Sequence, residues 1–191
     1  MRVAPIGLMF RHDHDLLWEQ GKLSALPTHR HPLGIEGAQV MALGIALASA
    51  SPAFDRDKFF SELREKCHAM EYIGPLRRAA NVAHPRDIGL FGNGVDAPSS
   101  VVSAIACFGL TPDSYEHTIG NAILLGGDTD TIAAMAGALS GAYLGQQAIP
   151  THLLKNLENR YQGRSYLEQL SYQLLTAHES RVGEDGQTRD A

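Results

Sequence analysis

The chain has 191 residues, 44% of them hydrophobic and 19% charged, with a net charge of -5. That is enough apolar material for one globular core, and the mild, dispersed acidity lacks the basic footprint of a nucleic-acid binder. Two cysteines, Cys67 and Cys107, lie far apart and outside any C-x-x-C pair; they argue against a disulfide framework and fit a reducing compartment, so a cytoplasmic location is expected.

The opening residues, MRVAPIGLMF, are too short an apolar run for a secretory signal and lack a small-residue cleavage site. No window of about 20 apolar residues runs without polar interruption, so neither a membrane span nor a membrane partner is expected. RHDHD, at 11–15, can be read as a transition-metal cluster of His12, His14, Asp13 and Asp15. The reading preferred is an exposed turn in which Asp13 or Asp15 caps the following helix.

Apolar residues then recur at spacings of three and four. Residues 34–50 read as a buried Ala- and Leu-rich helix, and 54–73 as one amphipathic helix with charges between Phe59, Phe60, Leu63 and Cys67. A helix over 96–110 follows a Gly-Asn-Gly turn, with Pro98 near its start. Helices at 113–125, 131–144, 151–158 and 164–178 complete the chain, and the polar residues 181–191 are expected to fray. No alternating apolar and polar run marks a strand, and no repeat is visible. The expected fold is a single all-α domain over 1–180, with function in the loops between helices.

GGDTDT, at 126–131, stands at the mouth of the helix IAAMAGALSGAYLG. One aspartate there would be a helix cap. Two acids, two hydroxyls and two glycines exceed what a cap requires. Magnesium takes about six oxygen ligands, often one or two carboxylates with waters and substrate. In an extended loop, residues i and i+2 point the same way. Asp128 and Asp130 can then reach one ion or straddle two, with the Thr131 hydroxyl as a neutral donor. Metal site and plain cap both remain open on these residues alone.

The segment 126–145 closely resembles the C-terminal signature of the ADP-ribosylglycohydrolase family. The likeness extends to MRVAPIG (1–7), LSALPTHRHP (23–32) and FGNGVDAPSSVVSAIACF (91–108). It implies an all-α orthogonal helical bundle and a hydrolase that uses two Mg2+ ions. The reaction implied is cleavage of the N- or O-glycosidic bond joining ADP-ribose to a protein side chain or small acceptor. By resemblance, Asp128, Asp130 and Thr131 are metal ligands. His29 lines the ADP-ribose cleft, and Gly92, Asn93, Gly94 and Val95 face the nucleotide. The implied partner is an ADP-ribosylated protein or a small ADP-ribose conjugate, not nucleic acid.

The family's N-terminal Thr-Asp-Asp-Thr-like motif has no counterpart in these residues, and Met1 falls where the family domain is normally midway. The bundle is therefore expected to lack its N-terminal helices, and no residue present is assigned as general acid or base. The competing expectation is a truncated or degenerate member that binds ADP-ribose, or serves structurally, without catalysis. A third is an unrelated helical protein in which the aspartates only cap.

Overall fold

The structure, a computed structural model, describes residues 1–189, with side chains described through Val182. Among the described residues it is all-α, with no strand. The backbone divides into two compact units, Met1–Ile149 and Pro150–Ala191, where the sequence reading takes 1–180 as one domain.

The first unit holds α1 (Ala4–Met9), α2 (His14–Ala25), α3 (Pro32–Ala50), α4 (Arg56–Lys66), α5 (Met70–Ala79), α6 (Ala97–Leu110), α7 (Tyr115–Leu125) and α8 (Thr129–Leu144). A 3-10 stretch, Pro85–Phe91, precedes α6, and another, Gln146–Ala148, follows α8. At its centre lies α3, packed against α1, α2, α4, α6 and α8. It is 19 residues long, and an 18-residue window of it has a mean hydropathy of 1.5, apolar enough to cross a membrane, but 67% of that window is buried inside the protein. That continuous apolarity is what a helix surrounded by other helices needs. Phe54, Phe59 and Phe60 form an aromatic cluster with Phe108 of α6 and Tyr143 of α8, edge-to-face in most of its pairs and tilted between Phe54 and Phe59. Tyr143 closes this cluster by accepting the Phe54 N–H at 2.9 Å.

Two local departures from the sequence reading have visible causes. The helix expected over 54–73 is broken at Cys67–Ala69 into α4 and α5. Glu36, buried on α3, accepts the backbone N–H groups of His68 at 2.6 Å and Ala69 at 3.0 Å. A carboxylate from a distant helix thus satisfies the donors that a new helix start exposes. The other departure is α1, which the sequence reading leaves unassigned; Pro5 sits in its first turn, where proline is tolerated.

The second unit holds α9 (Thr151–Asn156) and α10 (Arg164–Arg189). Between them Arg164 donates to the Leu154 carbonyl at 3.0 Å, and the Asn159 carboxamide oxygen accepts the Ser165 N–H at 2.8 Å. The tail expected to fray at 181–191 falls partly on α10, whose helical backbone runs to Arg189; residues 190 and 191 lie outside the described residues.

Candidate functional site

One cavity of about 270 Å³ in the first unit gathers the residues before α1, the end of α2 and the turn after it, the N-terminal half of α3, the start of α6 and the mouth of α8. It lies just below the range of about 300–1,000 Å³ usual for small-molecule sites. Asp128, Thr131, His29 and Val95 line it, together with Thr28 and Arg2. Asp130, Gly92, Asn93 and Gly94 are not among its lining residues.

The acidic loop is shaped by its backbone. Gly126 and Gly127 take φ of +73° and +68°, ending α7 and turning the chain into α8. The helix begins at Thr129, so Asp128 is its N-cap and Asp130 lies in its first turn. The extended loop expected from sequence, with both acids on one side, is therefore not formed. At 3.6 residues per turn the two acids are separated by roughly 200° about the axis. Thr131, three residues past Asp128, shares its side, and these two line the cavity while Asp130 is exposed.

Asp128 occupies the cap position without capping: no N–H of the first turn is bonded to its side chain. Asp13, Asp55 and Asp96 behave differently, each accepting the N–H three residues on at 3.0 Å. In Asp96 the Ser99 backbone N–H holds the carboxyl below the usual carboxylate range. The RHDHD stretch is accounted for in the same way, Asp13 capping α2 and Asp15 pairing with Lys66.

His29 is set by its neighbours. A Cβ at Gly34 would stand 3.0 Å from its Cδ2, so the ring lies close over the first turn of α3. Its Nδ1 is 2.8 Å from the Thr28 hydroxyl, and that oxygen also accepts from the Arg2 guanidinium at 2.9 Å. Arg2 donates as well to the Ser24 carbonyl at 2.8 Å. With Nδ1 occupied, Nε2 is the ring nitrogen left for a ligand. His31, to which the sequence reading gives no role, accepts the Leu33 N–H through Nδ1 at 3.3 Å as the cap of α3. Sequence reasoning passed over Arg2, although a lone guanidinium in MRVAPIG is the signal that could have found it.

The Gly-Asn-Gly turn presents Val95 to the cavity as an exposed apolar lip. Gly92 is held to α6 by the Ser103 hydroxyl, which donates to its carbonyl at 2.6 Å. The Asn93 side-chain amide donates to the Leu125 carbonyl at 3.1 Å.

The donors facing the cavity at the mouth of α8 are oxygen, the Asp128 carboxylate and the Thr131 hydroxyl, while the Asp130 carboxylate lies exposed on the far side of the turn. No group of three or more His, Cys, Asp or Glu converges as a metal cage among the described residues. A hard cation that keeps several waters fits such a set, because magnesium commonly takes one or two carboxylates and leaves the rest of its shell to water and ligand.

The sequence profile of the ADP-ribosylglycohydrolase family matches residues 1–183. Human ADP-ribosylhydrolase ARH3 is 34% identical over 183 residues, covering 78% of this chain and 50% of that protein. The bovine ADP-ribosylhydrolase ARH3 is 33% identical, with the same coverage. An uncharacterized protein of Archaeoglobus fulgidus is 31% identical over 183 residues, covering 93% of this chain and 57% of its own length. The chain spans about half the length of the curated relatives it matches.

Proposed function

The chain belongs to the ADP-ribosylglycohydrolase family, and from that premise we propose that its cavity takes part in magnesium-dependent hydrolysis of the glycosidic bond between ADP-ribose and a protein side chain or small acceptor. The observation that carries this reading is Asp128: a partly buried carboxylate at a helix mouth, free of any capping bond, facing a cavity. A structural aspartate would spend that charge on the first-turn N–H groups.

Asp128 and Thr131 would hold the cation from the cavity side, and Asp130, exposed across the turn, would reach only a second ion or an outer water. Bound there, magnesium supplies orientation of ribose hydroxyls and water and stabilises charge in the transition state. The chain's own groups bind and orient the rest. His29 offers Nε2 while Arg2 and Thr28 fix its ring. The uncapped N–H groups of α8, at the positive end of its dipole, favour an anionic ligand. Val95 gives the lip an apolar surface. Cleavage at an anomeric carbon passes through an oxocarbenium-like state, and the acidic side chains at this mouth favour positive charge developing beside them.

The test is release of ADP-ribose from an ADP-ribosylated protein, with magnesium and with EDTA. Magnesium-dependent release that fails in Asp128→Ala supports hydrolysis. A well-folded protein that releases none under either condition counts against it.

That Asp128 is the one carboxylate among the cavity's described lining residues favours a second reading, an ADP-ribose-binding protein without turnover. Calorimetry separates the two: binding of ADP-ribose with no release from the modified protein selects the second.

A further inference from the structure

Asn93 belongs to the glycine turn, yet its side-chain amide and backbone carbonyl bond the two ends of the segment that joins α7 to α8. Its Nδ2 donates at 3.1 Å to the carbonyl of Leu125, the last residue of α7. Its own carbonyl accepts the Asp128 backbone N–H at 2.8 Å. Gly127 lies between these bonds at φ +68°, and a Cβ there would stand 2.1 Å from the Asn93 carbonyl oxygen and 2.6 Å from its Cγ. The other side of the turn is anchored as well, through the bond from buried Ser103 to the Gly92 carbonyl. The turn is thus tied to α6 and grips the loop at 125–128.

That grip coincides with an unusual cap geometry. Asp13, Asp55 and Asp96 cap their helices from ψ of 89°, 104° and 144°. Asp128 sits at ψ 58° and makes no capping bond. A cap carboxylate that is free to relax folds back onto the N–H two or three residues on. Here the peptide carrying Asp128 is fixed from outside.

We propose that Asn93 is a positioning residue: it latches the acidic loop so that Asp128 cannot cap its own helix and keeps its carboxylate for a divalent cation. This rests on reading Asp128 as a cation ligand. It gives Asn93 a task distinct from touching the nucleotide. Released from the latch, Asp128 relaxes toward the geometry of the other three caps, and its oxygen is spent on the first turn of α8.

The test compares wild type with Asn93→Ala and Asn93→Asp in three measurements. These are Mn2+ binding by electron paramagnetic resonance, amide hydrogen exchange at Asp128, and metal-free ADP-ribose binding by calorimetry. Asn93→Asp keeps the size but sets an acceptor against the Leu125 carbonyl. Both variants are expected to bind Mn2+ about tenfold more weakly or worse, the usual effect of losing a residue that orients a ligand. The Asp128 amide keeps its bond to the Asn93 backbone carbonyl in both variants, and is expected to exchange faster because the lost Nδ2 bond no longer steadies that carbonyl. Metal-free ADP-ribose binding is expected to be unchanged. Unaltered Mn2+ affinity in both variants overturns the latch and leaves the metal site standing. Weakened ADP-ribose binding with unaltered exchange at Asp128 also overturns it, and makes Asn93 a direct contact. A wild type that takes up no Mn2+ removes the metal reading itself, before any variant is compared, and the latch's purpose with it.

Discussion

Replacing Asp128 with alanine separates a helix cap from a cation ligand. Asp96 makes the capping bond to Ser99 N–H at 3.0 Å, and losing such a bond costs about 1 kcal/mol. For a chain of this size that lowers Tm by about 2–4 °C. Asp128 makes no such bond. Asp128→Ala forfeits only an attraction to the helix dipole of about 0.3–1 kcal/mol. Relief of repulsion from Asp130 offsets part of that. In metal-free buffer, then, Asp128→Ala is expected to shift Tm by less than Asp96→Ala does. Magnesium reverses the ranking. A cation present at 100 times its Kd stabilises the folded state by about 2.7 kcal/mol, or roughly 5–10 °C here. Wild type and Asp96→Ala gain this shift, and Asp128→Ala does not. Scanning calorimetry of the three proteins, with and without magnesium, reads all of it. If Asp128→Ala drops as far as Asp96→Ala and magnesium moves neither it nor wild type, Asp128 is a cap and the reasoning fails.

Glu36→Ala leaves the His68 and Ala69 N–H groups without their buried acceptor, at a cost of about 3 kcal/mol in chemical denaturation; Glu36→Gln, which retains one acceptor oxygen, is expected to lose less. Burial pushes the Cys67 and Cys107 thiols up to about 12 from an ordinary value near 9. The fold favours the neutral thiols, so the stability this represents is whole below pH 9 and is lost as pH rises toward 12. Neither thiol should react with a disulfide reagent at neutral pH until the protein is unfolded, and fast reaction of the native protein contradicts that burial. Arg2→Ala removes the bonds to Ser24 and Thr28; it is expected to weaken ADP-ribose binding several-fold with little change in Tm, and calorimetry showing equal affinity would deny Arg2 any part in holding His29.

The all-α class was legible because helical spacing is local, and the acidic mouth of α8 because six residues in a row depart from what a cap needs. What was not legible depended on contacts remote in sequence. The break between α4 and α5 requires Glu36, 32 residues before His68. No periodicity within 54–73 announces a carboxylate arriving from α3. The side chain of Asn93 finds Leu125, also 32 residues away, so a motif that reads as a nucleotide-facing turn is also a clamp. An extended loop would set the two acids of GGDTDT on one side. Helix onset at Thr129 rotates Asp130 away and brings Thr131 beside Asp128 instead. Arg2 escaped notice because its partners, Ser24 and Thr28, come together only when α1 and α2 pack.

The most direct test of the account is calorimetric titration of ADP-ribose into the folded polypeptide, with magnesium and with EDTA, for wild type and Asp128→Ala. A magnesium-dependent gain in affinity of about tenfold or more in wild type, absent in Asp128→Ala, is the predicted result. Binding of equal strength in all four titrations, or none in the folded wild type, contradicts it.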